Sequence, residues 1–242
     1  MPSEKRRRAA TSPIDRALAK SDVEFVKDYL EPAVPGLAPW TSAWTHPTSG
    51  RRYCIRLARP EELGERAIEA CFRLVEETSR ADYEQSTMRW RPKQKRQEMR
   101  SPELRYIVVQ EEAVVATEVL SDHTGEPAPD PAAVNIPAFT SLMPVYEEGE
   151  PVVYCYEIHL APDLRGSGLG SLLLGFQSIV AHNLGPPISK VMLTCFLSNS
   201  QALQFYKNQG FVTDELAPTT RRLRGGKVFR PDYTILSKPV VR

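Results

Sequence analysis

A carboxylate and a glycine-rich turn lie close together in one stretch of the chain, YCYEIHLAPDLRGSGLG at residues 154–170. The carboxylate belongs to Glu157. Strand-forming aromatic and aliphatic residues surround it, so it is poorly placed for contact with solvent. Eight residues later the chain reaches an arginine and three closely spaced glycines: Arg165, Gly166, Gly168 and Gly170. Any chemistry in this stretch therefore involves a sheltered acid near a turn with few side chains.

The turn has the properties of an anion-binding site. It follows a predicted strand and opens a predicted helix over residues 168–183, whose apolar residues fall on one face. A helix start exposes unpaired backbone N–H groups with partial positive charge, and glycines let an anion approach them. The pattern predicts a cradle for a diphosphate, with a glycine-rich turn that binds nothing as the alternative. It lacks the Lys-Ser/Thr pair of a Walker loop, and GxGxG late in the chain does not match a Rossmann GxGxxG.

Strands and helices on either side must position this stretch. The predicted strands are residues 52–58, 105–110, 113–120, 152–160, 190–196 and 232–237, of which the second and third form a hairpin. The predicted helices are residues 14–31, 61–79, 81–100, 168–183 and 199–208, the third with a basic exposed face. Residues 32–50 and the basic segment 221–230 are predicted loops. The proline-rich residues 122–151 are a predicted long insertion without regular structure.

The composition is that of an ordinary globular protein. The 242 residues suffice for one sizeable domain or two small ones. No stretch approaches the ~20 apolar residues of a membrane helix, and the basic start MPSEKRRR lacks the apolar segment of a secretory signal. The cysteines, Cys54, Cys71, Cys155 and Cys195, are far apart, which indicates free thiols in a reducing compartment. The four histidines show no ligand spacing, so zinc is not expected.

The net charge of +1 hides an uneven distribution. Residues 106–164 contain eleven acidic residues and no Lys or Arg, so the rest of the chain carries all 31 basic groups and 19 acids. A region of one sign attracts partners of the opposite sign. The acidic segment is therefore either a solvated surface or a docking surface for a basic substrate. In the second case Glu147, Glu148 and Glu150 are expected to help collect a basic tail.

Several motifs resemble one enzyme superfamily. Arg-x-x-Gly-x-Gly at residues 165–170 resembles the acetyl-CoA loop of the GNAT acetyltransferases, and Asn199 followed by ALQFYKNQGF (202–211) resembles a later helix of that superfamily. Within it, the chain resembles the NatD-type N-terminal acetyltransferases, which modify histones. The motifs that carry this narrower resemblance are YEQS (83–86) with Trp90 and KRQEM behind it, YCYE (154–157), KVMLT (190–194) and YTILS (233–237).

The resemblance implies an α/β fold (mixed α+β), in which a mixed, mostly antiparallel sheet is splayed around acetyl-CoA and flanked by helices. It implies a catalytic domain at residues 51–242, after an N-terminal segment, residues 1–50, made of a basic tail and a helix. It implies no metal. The residues that it assigns to acetyl-CoA are Ile158, His159, Leu160, Arg165, Gly166, Ser167, Gly168, Leu169, Gly170, Ser171 and Asn199.

The resemblance also implies catalytic and substrate-binding roles. The catalytic residues that it assigns are Glu157, Tyr156 and Tyr206. Glu157 is expected to act through a water as general base for a protonated α-amine, and Tyr206 is a candidate to protonate the departing thiolate. Strict strand alternation would send Tyr156 and Glu157 to opposite faces; the family resolves this with a β-bulge that turns both toward the site. The residues expected to contact the peptide are Tyr83, Trp90, Asp122, Tyr154, Tyr156 and Thr194.

Three functional hypotheses follow. The first is a monomeric N-terminal acetyltransferase of the cytoplasm and nucleus, acting on histone tails that begin Ser-Gly-Arg-Gly, with no membrane or nucleic-acid partner. Met88 stands where the family tends to carry a tryptophan, which leaves peptide specificity open. The second is a GNAT enzyme for a lysine side chain or a small amine. The third is a chromatin-binding module that uses EKRRRA and RRLRGGKVFR, against which the acidic central region argues.

Overall fold

The computed structural model describes residues 12–112, 134–222, 224, 226, 228–240 and 242. The strands are β1 (Ala43–Thr45), β2 (Arg52–Ala58), β3 (Arg105–Glu111), β4 (Ala138–Glu147), β5 (Glu150–Leu160), β6 (Lys190–Phe196), β7 (Val212–Thr213), β8 (Arg221–Arg222), β9 (Val228–Phe229) and β10 (Tyr233–Pro239). The helices are α1 (Pro13–Ala19), α2 (Asp22–Phe25), α3 (Pro60–Gln85), α4 (Pro92–Glu98), α5 (Leu169–Leu184) and α6 (Ser200–Asn208). A π-helical turn, Val26–Leu30, follows α2, and a 3₁₀ turn, Pro162–Leu164, precedes α5.

Within the described residues, eight strands form one mixed sheet in the order β1-β2-β3-β4-β5-β6-β10-β7. β5 and β6 are its parallel pair, and they are joined only where Val153–Cys155 meets Val191–Leu193. β5 continues to Leu160 and β6 to Phe196, so the two strands separate beyond this short ladder. The separation is the predicted splay of the sheet. The predicted fold class, a mixed α/β fold with a mostly antiparallel sheet, is confirmed.

Helices cover both faces of the sheet. One face packs against α5, α1 and the π-helical turn, with Leu142, Cys155 and Phe176 in its apolar cluster. The opposite face packs against α3, with Phe72 and Phe139 in a second cluster. These two clusters bury the apolar side chains of alternate residues along the central strands. One side of β5 therefore faces α5, and its other side faces α3.

The N-terminal segment is part of this core. Ile14, Phe25 and Leu30 are buried in the cluster on the α5 face. Arg105 on β3 is only 1% exposed; its guanidinium donates to the Asp22 carboxylate and to backbone carbonyls of residues 17 and 20. Residues 12–34 are thus fixed by apolar burial and by a buried ion pair.

Several sequence-based expectations for the elements were wrong. The helix predicted over 14–31 is interrupted at Lys20, whose backbone is extended, because Ser12 and Ser21 each begin a separate capping box. The helix predicted over 61–79 runs on to Gln85, since nothing in 78–82 breaks it. The helix predicted over 81–100 is reduced to α4, and a short connection separates it from α3.

The proline-rich region is more regular than predicted. β4 occupies residues 138–147 and forms a tight hairpin with β5 through Glu148 and Gly149, both with positive φ. Pro144 is tolerated because β3 pairs with β4 only as far as Leu142, so that side of β4 has no strand neighbour there among the described residues. The remainder of the predicted insertion and the predicted strand 113–120 lie outside the described residues. The predicted loops 32–50 and 221–230 contain β1 and the β8–β9 pair.

The buried pair between Arg105 and Asp22 yields a stability prediction. Asp22→Ala leaves a guanidinium buried without its carboxylate, so the free energy of unfolding should fall by about 3–5 kcal/mol in denaturant titrations. Asp28→Ala, which removes the exposed partner of Lys20, is the matched control and should leave the unfolding midpoint nearly unchanged. Equal effects of the two substitutions would contradict the prediction.

Candidate active site

A cavity of about 1140 Å³ lies where β5 and β6 separate. Its walls come from α3, α4 and the connection between them, from β5 and β6, and from the glycine turn and α6. The predicted site residues that line it are Tyr83, Trp90, Tyr154, Tyr156, Glu157, Ile158, His159, Leu160, Arg165, Gly166, Gly168, Gly170, Ser171, Thr194, Asn199 and Tyr206. Residues assigned from distant parts of the sequence therefore meet in one place.

Two predicted residues, Ser167 and Leu169, are described but are not in this lining. The Ser167 hydroxyl donates to the Leu164 carbonyl at 2.6 Å. Leu169 is fully buried in the core on the α5 face. Any contact of these two residues with a ligand at the turn would have to come from their backbone. Asp122 lies outside the described residues.

A β-bulge shapes β5 at the centre of the cavity. Ser141 pairs with Glu157 while the next residue, Leu142, pairs with Cys155, so Tyr156 is the extra residue. Tyr156 packs against the cluster on the α3 face, and Glu157 reaches Lys95 of α4 on the same side. The bulge predicted from the family resemblance is present. It brings two consecutive side chains to one face.

Glu157 is a buried carboxylate held by two side chains. It is 9% exposed; Lys95 Nζ lies 2.9 Å from Oε1 and His159 Nε2 lies 2.6 Å from Oε2. Burial alone would raise its pKa, but Lys95 and His159 outweigh burial and lower the pKa to about 2. The carboxylate is therefore ionised throughout the neutral range, and its orientation is fixed from two directions.

His159 links this carboxylate to α3. Its Nδ1 lies 2.6 Å from the Thr78 hydroxyl, which also lies 2.6 Å from the Leu74 carbonyl oxygen. The imidazole stacks near Phe139 and is 8% exposed. The side chain of His159 is thus occupied with Glu157 and Thr78. Only its backbone is placed for the predicted contact with the cofactor arm.

Lys95 was missed as a site residue, and it was placed on an exposed basic face. It is 7% exposed, contacts both Glu157 and Glu98 at 2.9 Å, and lies 5.2 Å from the centre of the Tyr83 ring. Burial alone would lower the pKa of Lys95, but Glu157 and Tyr83 raise it above its ordinary value. One signal could have found it: residues 106–164 hold no basic group, so a buried Glu157 needed a cation from elsewhere.

The glycine turn has the backbone geometry of the predicted cradle. Gly166 and Gly168 have φ of 71° and 90°, which favours glycine. Gly168 is the N-cap of α5 and has no side chain to cap the helix, although Ser167 Oγ accepts from the Leu169 N–H at 3.5 Å. Gly170 is needed for a different reason, since a Cβ there would lie 3.2 Å from the Phe205 ring. Arg165 Nε donates to the Leu160 carbonyl and so fastens the turn to β5. The backbone of Gly166, Gly168, Gly170 and Ser171 therefore lines a cavity that an anion can enter.

Two further predicted residues lie on or before α6. Asn199 Oδ1 accepts from the Ala202 N–H and caps the helix, while its Nδ2 contacts Asp82 at 3.3 Å. Tyr206 is 8% exposed, and burial raises its pKa well above the ordinary value. Tyr206 therefore keeps its proton at neutral pH, as a proton donor must.

The described residues among those predicted for the substrate also line this cavity. Tyr154 and Thr194 are joined through their hydroxyl groups at 2.7 Å. The Tyr83 ring meets Phe196 edge to face, and burial raises its pKa to about 12. Trp90 stacks on Phe72 and donates to Glu76 at 3.2 Å, so much of its ring supports the wall.

The charges at the cavity are mixed rather than acidic. Glu98 and Glu147 contribute to its lining, but so do Arg89 and Arg91. Glu150 lies elsewhere, paired with Lys190 and Ser189. Of the three hairpin acids expected to collect a basic tail, only Glu147 lines the cavity.

Two further properties bear on the site. Among the described residues, no three His, Cys, Asp or Glu side chains are grouped as metal ligands. No helix in the same part of the chain combines the length and the apolarity needed to cross a membrane.

The Lys95–Glu157 pair predicts a change in the pH dependence of stability. The lowered pKa of Glu157 means that its contribution is present above the unfolded-state pKa of about 4.3 and is lost as the pH falls toward 2. In Lys95→Met the buried carboxylate loses this cation and its pKa rises. Stability should then fall as the pH rises through the new value, by about 3–5 kcal/mol at neutral pH.

Denaturant unfolding between pH 4 and pH 8 measures this effect. Lys93→Met, on the exposed side of the same helix, is the control and should follow the wild-type curve. A Lys95→Met protein with the wild-type pH profile would show that the pair does not govern the ionisation of Glu157.

Comparison with known proteins places the chain in a family. Residues 68–211 match the acetyltransferase (GNAT) family, more than half of the chain. N-alpha-acetyltransferase 40 of Saccharomyces cerevisiae is 26% identical over 200 residues, which cover 74% of this chain and 65% of that protein, so just under two thirds of the relative is spanned. Structures of Arabidopsis thaliana NAA60 with a bisubstrate analogue and with acetyl-CoA are each 13% identical, with TM-scores of 0.49 and 0.48. Each covers 78% of this chain; the shares of NAA60 are 99% and 98%. The chain belongs to the acetyltransferase (GNAT) family.

Proposed function

We propose that the protein transfers the acetyl group of acetyl-CoA to the α-amino group of a protein N-terminus. The observation that carries this proposal is the β5 bulge, which puts Tyr156 and Glu157 on one face of a cavity that also receives the start of α5. The Glu157 carboxylate and the glycine turn, which are 8 to 13 residues apart in sequence, therefore line the same cavity. Family membership supports acetyl transfer, and the relative named an N-alpha-acetyltransferase supports an α-amine as acceptor.

Acetyl-CoA would be held by backbone at both ends of the opening. The backbone from Gly166 to Ser171 at the start of α5 suits its diphosphate. Its pantetheine arm fits along residues 158–160 of β5, whose edge toward β6 has no ladder partner in the described chain. A backbone N–H on this edge is placed to stabilise the thioester oxygen as negative charge develops. Acetyl-CoA supplies the activated acetyl group.

Proton removal from the acceptor is assigned to Glu157 through a water. An α-amine has a pKa of about 7.7–8.0, so a large share is protonated at pH 7. Lys95 and His159 hold the pKa of Glu157 well below that of the amine, so the carboxylate is a poor final acceptor for the proton. Glu157 therefore orients the amine and passes its proton through water to solvent. The freed nitrogen attacks the acetyl carbon, the C–S bond breaks, and we assign protonation of the sulfur to Tyr206, which lines the cavity.

The acceptor is proposed to be a histone tail that begins Ser-Gly-Arg-Gly. Tyr83, Tyr154 and Thr194 bound the end of the cavity where the first residues would lie. Glu147 on the β4–β5 hairpin is half-buried beside Tyr154 and Tyr156, where a cationic third residue could reach it. Such tails are cationic, in agreement with the basic-free segment 106–164. The described cysteines are free thiols, which supports the proposal that the protein acts in the cytoplasm and nucleus. We also propose that the protein is a monomer.

Mass spectrometry of peptides tests this function. A Ser-Gly-Arg-Gly peptide incubated with the protein and acetyl-CoA should gain one acetyl group at its N-terminus. The same peptide with a blocked N-terminus and internal lysines should gain none. Acetylation of the lysines instead would favour the lysine or small-amine alternative. Binding of the peptide without turnover would favour the binding module.

Glu157→Gln tests the assigned proton path. The substitution keeps the shape but removes the negative charge, so kcat should fall by roughly 10²-fold or more. Calorimetry should still detect acetyl-CoA binding, because the diphosphate site is separate. Undiminished turnover in this variant would remove Glu157 from the mechanism.

The hairpin acid predicts a salt-dependent effect. Glu147→Gln should lower kcat/KM for the cationic peptide several-fold at low ionic strength, and the difference should shrink at high salt. Glu150→Gln is the matched control, because its carboxylate belongs to the same hairpin but does not line the cavity. If both variants behave alike, recognition of the tail by Glu147 is wrong.

A further inference from the structure

Gln177 is a polar residue on the buried side of α5. It is 0% exposed, and its buried helix neighbours Phe176 and Val180 are apolar. Its Nε2 donates to Thr140 Oγ1 at 2.6 Å, whereas its Oε1 has no hydrogen-bond partner among the described residues. Burying an amide in this half-satisfied state is unfavourable relative to an apolar residue of the same size. The bond to Thr140 is therefore the feature that distinguishes glutamine from methionine at this position.

Thr140 connects Gln177 to β5, the strand that carries Glu157. Its hydroxyl proton is donated to the backbone carbonyl oxygen of Glu157 at 2.8 Å. Because a hydroxyl has one proton, Thr140 accepts from Gln177 and donates to Glu157, which fixes the direction of both bonds. A continuous path, Nε2–H to Oγ1–H to the carbonyl, joins α5 to β5. The Cys155 thiol approaches the same carbonyl at 3.6 Å.

The backbone carbonyl of Glu157 lies at the β5 bulge. Ser141 faces Glu157 across the β4–β5 ladder, and the register shifts between Ser141 and Leu142. Thr140 lies opposite Ile158, on the side of the sheet that packs against α5. The carbonyl of Glu157 is thus engaged on the α5 side, while its carboxylate meets Lys95 on the α3 and α4 side. A bulge weakens the regular ladder, so side-chain hydrogen bonds are needed to hold it in one form.

We propose that Thr140 and Gln177 are positioning residues that lock the β5 bulge and so place Tyr156 and Glu157 relative to the start of α5. The two halves of the site are otherwise on separate elements. α5 begins at the glycine turn, and the same helix carries Gln177 about two turns later. The assignment of an effect on acetyl transfer rests on the proposed function; the effect on the bulge does not.

The test compares Thr140→Val, Thr140→Ser and Gln177→Met in the full chain. Valine keeps the shape of threonine but has no hydroxyl, whereas serine keeps the hydroxyl. Ser178→Ala is the matched control: its hydroxyl bonds within α5 to the Leu174 carbonyl, away from the bulge. For each variant, thermal unfolding, the Kd of acetyl-CoA, and kcat and KM for the Ser-Gly-Arg-Gly peptide are measured.

Thr140→Val and Gln177→Met should lower kcat at least tenfold, since small misplacements of reacting groups are costly, while the Kd of acetyl-CoA changes less than twofold. Thr140→Ser should restore most of kcat, and Ser178→Ala should match wild type. Loss of acetyl-CoA binding in step with kcat, or failure of serine to restore kcat, would overturn the inference, because either indicates general damage. If Thr140→Val does not fold, Gln177→Met decides by the same criteria.

Crystal structures of the wild type and of Gln177→Met provide a readout that does not depend on activity. The variant should show Tyr156 or the Glu157 carboxylate displaced, or the ladder opposite Ser141 re-registered. An unchanged bulge with both side chains in place would overturn the inference. If the wild type fails to acetylate any peptide, the proposed function fails, and these crystals still decide the role of Thr140 and Gln177.

Discussion

An ionised carboxylate inside a sheet is stable only when cations or N–H donors surround it, and this constraint governs the centre of the molecule. Glu157 meets it through Lys95 on α4 and His159 on its own strand. The ion pair also constrains the position of a helix, because Lys95 belongs to α4, a seven-residue helix that begins at Pro92. The position of α4, and of the connection that closes one end of the cavity, is therefore tied to the charge state of one carboxylate.

Two irregularities of strand pairing create the space around that carboxylate. β5 leaves β6 after Cys155, which opens the sheet, and the bulge at Tyr156 changes which face the following residues occupy. A regular β5 would have placed Tyr156 and Glu157 on opposite layers. The cavity is thus a consequence of imperfect pairing at the centre of an otherwise continuous sheet, and the glycine turn lies at the end of the strand that carries both defects.

Patterns that act over a few residues were enough to predict the strands 52–58 and 190–196 and the helix after the glycine turn. The resemblance of the motifs to the GNAT family predicted the fold class and the β5 bulge. Lys95 was missed because helical periodicity placed it among exposed basic residues, and only a contact 62 residues away makes its burial favourable. β4 was not predicted because prolines argue against a strand unless one edge of that strand is known to lack a hydrogen-bonded neighbour. Contacts between residues far apart in sequence thus determine the burial of Lys95 and the pairing of β4, which local patterns did not predict.

The attachment of residues 12–34 also has a consequence for how the chain reaches its final shape. Asp22 binds a side chain 83 residues later, and the carbonyl of Tyr29 binds Asn183, 154 residues later. Residues 12–34 gain their first partner in Arg59 but cannot complete their contacts until α5 has been synthesised. Their apolar side chains, Phe25 and Leu30 among them, lack their final packing partners until that point.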